Sequence, residues 1–316
     1  MKKAIFIFMI IIILSSCSNP DRGELYKVGM ITEKPKNASA WEIKGYEGLE
    51  RIKETYPDVD VLYETNIQTE EEAVDVIDQF AKKGVNLLFG HSSHFEKYIV
   101  DLASHYPDVH FVYFNGGYTS DNVSSVNINL FPIGYFAGLL AGEMTKTNEV
   151  AIIAAYEWQT EIEGFFEGVK QANPNGKVQI EFIQDVADEE LIAESYENLK
   201  AKNVDVFYPA NDVFSETIIH KASKDHRYSI GYMMDQSEID SSYVLSSTIL
   251  NVDTIYKMTA EKMAKGKLEG KIYSFNHDKK IITLGPYSEE VPLNVQRKID
   301  NTLENYYSTG LLPYQK

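Results

Sequence analysis

Cysteine and net positive charge are what this chain of 316 residues most clearly lacks. Its single cysteine, Cys17, excludes a disulfide framework and any zinc site that needs several cysteines. Acidic residues number 47 against 30 Lys and Arg, which gives a formal charge of −17. Direct binding to DNA phosphates requires clustered basic residues that displace counterions, so this balance argues against direct nucleic-acid binding.

Long hydrophobic runs are also missing, apart from one at the N-terminus. Lys2 and Lys3 precede an apolar run of 11 residues, positions 4–14, and small residues follow it. As a helix this run would rise about 16 Å, roughly half of the hydrocarbon core of a bilayer, so it is too short to span one. The pattern is typical of a secretory signal peptide, which we place at residues 1–16.

Residues 14–17 (LSSC) resemble the lipobox of bacterial lipoproteins, in which the cysteine sulfur receives diacylglycerol and becomes the new N-terminus. The alternative is an ordinary signal peptide followed by a stray cysteine, but the chain's single cysteine stands at the lipobox position. Removal of residues 1–16 would leave 28 basic against 47 acidic residues, a charge of −19, and a polar tether over residues 17–25. Because two acyl chains give stable anchoring, we predict a protein held through Cys17 on the outer face of the cell membrane.

Sequence motifs of the common enzyme classes are absent as well. The chain has no Gly-rich dinucleotide loop after a strand, no P-loop, no G-x-S-x-G elbow and no H-E-x-x-H motif. Commitment of Cys17 to the anchor excludes Cys–His catalysis. His91 and His94 have a spacing compatible with metal ligation, but no third ligand is evident near them. We therefore expect no catalytic residue, no metal and no cofactor.

Strand-like and helix-like segments alternate regularly from residue 26 onward. Predicted strands cover residues 26–32, 59–63, 85–89, 109–114 and 123–128, and then 150–155, 178–183, 204–208 and 228–232. Capping boxes at residues 39–42, 69–72 and 93–96 open helices between strands of the first half. Strand–helix–strand units at this spacing predict parallel sheets with right-handed crossovers. The fold class is therefore α/β, with two doubly wound parallel-sheet lobes.

The end of the chain is expected to return to both lobes. A strand at 244–250 precedes an apolar-striped helix, and strands at 271–275 and 280–284 flank residues 276–278 (NHD), which are typical of a hairpin turn. A final helix covers 293–307. Several crossings between two lobes indicate a type I periplasmic-binding-protein-like clamshell. We assign residues 26–128 and 247–270 to lobe 1, and residues 129–246 and 271–316 to lobe 2.

Ligands of open α/β sheets bind beyond the carboxyl ends of the strands, so the residues that follow each predicted strand are candidates for binding. These are Thr32 and Glu33, Thr65 and Asn66, His91 to Ser93, Asn115 and Gly116, Tyr156 to Trp158, Asp185, Ala210 to Asp212, and Asp235 with Gln236. The set is rich in amides, hydroxyls, carboxylates and aromatic rings and poor in Lys and Arg. It suits a neutral, planar, polyhydroxylated ligand better than a phosphate.

Several candidates have a structural alternative. Trp41 and Trp158 stand at loop–helix junctions, where each either stacks on a ligand or anchors the core. Asn211 and Asp212 either contact the ligand or cap the helix that follows them. Asp235 and Gln236 belong to a turn-like cluster, so turn formation is the alternative there.

Short motifs in a fixed order connect the chain to a known family. They are Trp41 and residues 27–31 (KVGMI), 45–49 (GYEGL), 106–109 (YPDV), 122–126 (NVSSV), 136–138 (FAG), 144–147 (MTKT), 168–170 (GVK) and 235–237 (DQS). Their order resembles the basic membrane lipoprotein (BMP) family over essentially the whole chain after the signal peptide. The resemblance implies a type I binding-protein fold and a role like that of the purine nucleoside receptors that supply ABC importers.

The resemblance also implies roles for individual residues. Trp41 falls at the position of the family's base-stacking aromatic residue, and the carboxylate of Asp235 would accept hydrogen bonds from ribose hydroxyls. Other features of the family pattern are replaced in this chain. Residues 35–39 lack the acids that precede the family's aromatic residue. Met233 occupies the position of a family acid, and Leu250 occupies the position of a family lysine. Each lost buried hydrogen-bond partner costs about 1–3 kcal/mol, so these replacements predict weaker nucleoside binding or a changed ligand.

Two functions from different classes follow. The first is a solute receptor that closes on a nucleoside-like molecule for an ABC permease or a sensing partner, with Trp41, His91, Trp158, Asn211, Asp235 and Gln236 as its ligand-binding residues. The second is a regulator, because residues 158–159 (WQ), 234–237 (MDQS) and 251–253 (NVD) resemble the Med branch of the family, positive regulators of competence genes. The charge and the export signal argue against direct DNA binding by such a regulator. A third possibility is a degenerate receptor that binds a protein partner and no solute.

Overall fold

The computed structural model of the chain describes residues 25–275 and 277–315, so the predicted signal peptide and Cys17 lie outside the described residues. Two six-stranded sheets organise the described part. The first contains β1 (Lys27–Ile31), β2 (Asp60–Glu64), β3 (Leu87–Gly90), β4 (His110–Phe114), β5 (Val123–Ile128) and β11 (Ile272–Phe275), in the spatial order β11-β5-β4-β3-β1-β2. The second contains β6 (Glu149–Ala154), β7 (Lys177–Phe182), β8 (Val206–Ala210), β9 (Tyr228–Gly231), β10 (Val244–Leu250) and β12 (Ile282–Leu284), in the order β12-β10-β9-β8-β6-β7.

Helices cover both sheets, as the strand–helix alternation predicts. They are α1 (Ala40–Thr55), α2 (Glu70–Lys82), α3 (Glu96–Leu102), α4 (Phe131–Met144), α5 (Thr160–Ala172), α6 (Glu189–Ala201), α7 (Ser215–Lys224), α8 (Val252–Ala264) and α9 (Leu293–Thr309). The pairs β1–β2, β3–β4, β4–β5, β6–β7 and β8–β9 are parallel, and the edge pair β10–β12 is antiparallel. The predicted α/β class with two doubly wound parallel-sheet lobes is confirmed.

Strand pairing places two segments differently from the prediction. We call the first sheet with α1, α2, α3 and α8 lobe 1, and the second sheet with the remaining helices lobe 2. All of β10 lies in lobe 2, although residues 247–250 were expected in lobe 1, and β11 pairs with β5 in lobe 1, although residues 271–275 were expected in lobe 2. Because β11 and β12 belong to different sheets, the predicted hairpin around residues 276–278 is wrong, and this segment connects the lobes instead.

Three predicted helix caps have different outcomes. The capping box of α2 is complete, since Thr69 accepts from the Glu72 N–H and the Glu72 carboxylate accepts from the Thr69 N–H. At the start of α1 the Ser39 hydroxyl donates to the Glu42 carboxylate and makes no bond to the backbone. The third cap was placed one residue late, because Ser92, rather than Ser93, accepts from a backbone N–H of the following 3₁₀ turn.

The buried helix α4 packs against α5 with the two backbones in close contact at glycine residues. Gly134 and Gly138 on α4 face Gly164 and Gly168 on α5, and a Cβ added to Gly138 would lie 2.2 Å from the carbonyl oxygen of Phe165. Glycine is therefore required at this crossing by the close approach of the two helices. Although α4 is apolar nearly all round, no helix within residues 25–275 and 277–315 is long and apolar enough to cross a bilayer.

Candidate functional site

A cavity of about 280 Å³ opens between the lobes. The residues that line it come from both lobes and from the crossing segments: Glu33, Lys34, Ser39, Trp41, Glu42, Ser92, Asn115, Ile128, Leu130, Asp212, Met233 and Leu250. Glu33, Ser92, Asn115 and Asp212 all follow the carboxyl ends of parallel strands, which is where the sheet rule places a ligand. The cavity is therefore the candidate binding site.

The indole of Trp41 is the largest aromatic surface of this cavity. Trp41 lies in the first turn of α1, and its ring is stacked on the imidazole of His91 with centroids 4.3 Å apart and an angle of 9° between the planes. The ring of Phe114 is nearly perpendicular to the indole, at 88°, with centroids 5.3 Å apart. One indole face is thus covered by His91, and Trp41 lines the cavity, so a ligand would meet the indole on its other face.

His91 lies beneath Trp41 and does not line the cavity. The side chain is 1% exposed, and burial lowers the pKa of its imidazole from 6.5 to about 4, so the ring is neutral at physiological pH. Both ring nitrogens have protein partners, the backbone oxygen of Trp41 for Nε2 and the hydroxyl of Tyr256 for Nδ1. His91 therefore has no free ring nitrogen with which to bind a metal ion, as a metal site formed by His91 and His94 would require. Within residues 25–275 and 277–315, no three His, Cys, Asp or Glu side chains gather closely enough to hold a metal ion.

Carboxylates dominate the polar lining. Glu33 accepts a hydrogen bond from the Ser92 hydroxyl, and Glu42 accepts one from Ser39. Burial raises the pKa of the Glu42 carboxyl, the Ser39 hydrogen bond lowers it in part, and the negative charge of Asp212 raises it further. Acceptors thus outnumber cations here, which suits a ligand with many hydrogen-bond donors.

One direct contact joins the lobes at the cavity. The backbone N–H of Trp41 in lobe 1 donates to Oδ2 of Asp212 in lobe 2 over 3.4 Å. This is a long hydrogen bond, and a weak one. Asp212 therefore both lines the cavity and links its two walls.

Of the six residues predicted to bind the ligand, Trp41 alone lines this cavity. Trp158 is 75% exposed and stacks on Tyr156, with centroids 4.4 Å apart. The amide oxygen of Asn211 accepts from the backbone N–H groups of Val213 and Phe214, so Asn211 serves as a local cap.

Asp235 and Gln236 likewise hold a turn together. Oδ1 of the exposed Asp235 accepts from the Ser237 N–H at 3.0 Å. Gln236 accepts from the Tyr232 N–H at 2.8 Å and donates to the Ser215 hydroxyl at 3.0 Å. Turn formation, the alternative weighed from sequence, is what these contacts favour.

Sequence reasoning missed Ser39 and Glu42 as cavity residues. Both were interpreted as a helix cap, and the signal that could have identified them is their position beside Trp41 after β1. Met233 and Leu250 both line the cavity and give its lobe 2 side apolar surface.

Comparison with known proteins agrees with this geometry. The Bmp family model, described as "ABC transporter substrate-binding protein PnrA-like", matches residues 25–315. The chain is 36% identical over 312 residues to the transcriptional activator protein Med of Bacillus subtilis (strain 168), which covers 98% of each chain. It is 22% identical over 295 residues to a purine-binding protein of Brucella abortus (strain 2308), covering 92% of this chain and 83% of that one.

A solved structure extends the comparison to the fold. The crystal structure of a transcriptional activator of the comK gene from Bacillus halodurans superposes with a TM-score of 0.84 at 33% identity, covering 91% of this chain and 99% of that one. Solute-binding proteins of ABC transporters share the architecture, one of them from Conexibacter woesei with a TM-score of 0.77. The sequence motifs, the two lobes around a cavity and these matches lead to one assignment: the chain belongs to the Bmp family of PnrA-like ABC transporter substrate-binding proteins.

Proposed function

We propose that this protein is a lipid-anchored receptor outside the cell membrane that binds a nucleoside-like molecule between its lobes, for an ABC permease or a sensing partner. The observation that carries the proposal is the indole of Trp41, which is backed by His91 on one face and lines the cavity. A planar base is the ligand group that such a face binds well, because aromatic stacking favours flat partners.

The size and polarity of the cavity support a small ligand with many donors. Its volume of about 280 Å³ falls near the lower end of the range of about 300–1,000 Å³ that is typical of ligand pockets. Glu33, Glu42 and Asp212 supply acceptors for ribose hydroxyls and base N–H groups. In this proposal Asp212 takes the sugar-binding role first predicted for Asp235, because Asp235 is exposed and does not line the cavity.

Family membership supports the solute-binding part of the proposal, and the purine-binding relative supports a base-containing ligand. The lipobox-like residues 14–17 support an anchor at Cys17. The family's description as substrate-binding also agrees with a chain that carries no catalytic motif.

The test is calorimetric titration of the purified protein with adenosine, guanosine, inosine and uridine. We expect a purine nucleoside to bind and Trp41→Ala to weaken it by about 1–3 kcal/mol, a loss of roughly five- to 150-fold in affinity, because stacking on a base contributes that much. Trp158→Ala is the matched control, since this exposed tryptophan lies outside the cavity lining, and it should bind like the parent. No heat with any nucleoside, or an equal loss in both variants, would contradict the proposal.

A second function, positive regulation of transcription, is favoured by the 36% identity to Med over 98% of both chains. A formal charge of −17 opposes direct contact with DNA phosphates, so we propose regulation through a partner at the membrane. Fluorescence anisotropy with labelled promoter DNA at low salt should show no binding. Salt-sensitive binding at micromolar protein would overturn the indirect route.

A further inference from the structure

We propose that His91 and Tyr256 are positioning residues that fix the indole of Trp41 at the cavity, and that Gly45 and Gly48 leave the space they need. Neither His91 nor Tyr256 lines the cavity, so both would act on a ligand through Trp41. The binding consequence rests on the proposed function, whereas the fixed indole is a property of the ligand-free protein.

Hydrogen-bond directions follow from the chemistry of the partners. The Trp41 indole Nε1–H donates to the backbone oxygen of His91 at 2.8 Å. The backbone oxygen of Trp41 can only accept, so Nε2 of His91, 2.7 Å away, carries the ring proton and donates to it. In this neutral tautomer Nδ1 has a free lone pair, and the Tyr256 hydroxyl donates to it at 2.8 Å. Trp41 is thus tied to His91 through both its side chain and its backbone, and His91 is tied to Tyr256.

Ring packing completes the arrangement. Tyr256 is buried and stacks on Phe89 with centroids 4.1 Å apart. Phe114 lies beside this stack, nearly perpendicular to the rings of both Trp41 and His91, with centroids 5.3 Å from each. The indole therefore has contacts on one face and one edge, and little freedom to rotate away from the cavity.

Two glycines on α1 make room for this cluster. Gly45 and Gly48 follow Trp41 at the i+4 and i+7 positions, so all three lie on one helix face. A Cβ on Gly45 would lie 2.7 Å from Nε2 of His91, and one on Gly48 would lie 2.5 Å from Cγ of Tyr256. Glycine forms helices less readily than alanine does, and the two ring contacts explain why α1 contains glycine at both positions.

The cluster also joins three separated parts of the chain. Trp41 belongs to α1, His91 follows β3, and Tyr256 lies on α8, the helix with which the chain returns to lobe 1. The Tyr256 hydroxyl is therefore a long-range determinant of the geometry of the site.

The decisive experiment uses the ligand-free protein. The chain contains two tryptophans, so Trp158→Phe leaves Trp41 as its single indole. In that background we expect Tyr256→Phe to reduce the near-ultraviolet circular dichroism of the indole and to add a fast component to its fluorescence anisotropy decay. The matched control is Tyr208→Phe, which removes another buried hydroxyl, bonded to Thr248 Oγ1 at 3.0 Å in lobe 2. Both variants should lose similar thermal stability, but Tyr208→Phe should leave the indole signals unchanged.

A second variant removes the side-chain hydrogen bonds of His91 while retaining a flat ring. His91→Phe should also loosen the indole and should weaken the binding of inosine by about two- to 12-fold, the effect of one net hydrogen bond. Unchanged indole signals in both Tyr256→Phe and His91→Phe would overturn the inference, as would an equal change in Tyr208→Phe. If no nucleoside binds, the proposed function fails, and the ligand-free measurements still decide whether these residues position Trp41.

Discussion

Burial shifts the titration of four side chains whose charged forms would be poorly solvated. It lowers the pKa of His91 and of His110 from 6.5 to about 4 and raises the pKa of Glu42 and of Glu161. In all four the shift favours the neutral form relative to the same group in the unfolded chain. As the pH falls, the lowered pKa values of the two histidines decrease the free energy of unfolding, and the raised pKa values of the two glutamates increase it.

His110 offers a clean test, because it lies outside the cavity lining. The Ser124 hydroxyl donates to the backbone oxygen of Glu269, so it accepts from Nε2–H of a neutral His110 at 2.7 Å. Between pH 6.5 and 4 the unfolded chain binds a proton at this position that the folded chain excludes, so the free energy of unfolding falls as the pH falls through that window. One such histidine accounts for about 3 kcal/mol.

We expect His110→Gln, which keeps a donor for Ser124, to flatten this pH dependence. Urea unfolding of parent and variant at pH 7, 5.5 and 4.5 would measure it. The glutamates are present in both proteins, so the difference between the two curves isolates His110. Parallel curves would contradict the assignment of a neutral, buried His110.

At the level of elements, the crossing of α4 and α5 depends on glycine. Alanine normally stabilises a helix by about 1 kcal/mol relative to glycine, but a Cβ on Gly138 would lie 2.2 Å from a backbone carbonyl oxygen of the facing helix. Overpacking of this kind costs about 1–3 kcal/mol or more. We therefore expect Gly138→Ala to lower the urea midpoint of unfolding.

Gly142→Ala is the control for that prediction, because the added Cβ is less crowded there than at Gly138. Its added Cβ would lie 2.8 Å from the Cβ of Ala172 and 3.1 Å from the nearest backbone oxygen, so smaller shifts would accommodate it. We expect a smaller loss of stability than in Gly138→Ala. The reverse order would mean that the helices do not approach more closely at Gly138 than at Gly142.

Local patterns predicted the elements well, because strand and helix periodicity and the Thr69 cap depend on nearby residues. Local patterns do not predict which strands β11 and β12 pair with. Each is a short strand, and its sheet is decided by partners far along the chain, β5 and β10. The binding site shows the same contrast between residues that local patterns identify and residues whose position depends on distant contacts. Trp41 was found from its place before a helix, whereas the cross-lobe position of Asp212 depends on how the lobes meet.

At the scale of the whole molecule, the proposed anchor at Cys17 would determine where the cavity can meet a ligand. We expect Cys17→Ala to release the protein from the membrane fraction, because the acyl chains attached at that sulfur would supply the anchor. Fractionation of cells followed by immunoblotting would measure this. Trp158→Ala is a suitable control, since it changes an exposed residue far along the chain from the lipobox-like residues 14–17. Unchanged membrane association of Cys17→Ala would refute the anchor.

The return of α8 and β11 to lobe 1 has a consequence for biosynthesis. The sheet of lobe 1 lacks the edge partner of β5 from the time residue 128 is made until residues 272–275 follow, on the order of 10 s at ordinary translation rates. Tyr256, which supports the ring beneath Trp41, also arrives late. A nascent chain would thus have no complete cavity until most of it had been synthesised.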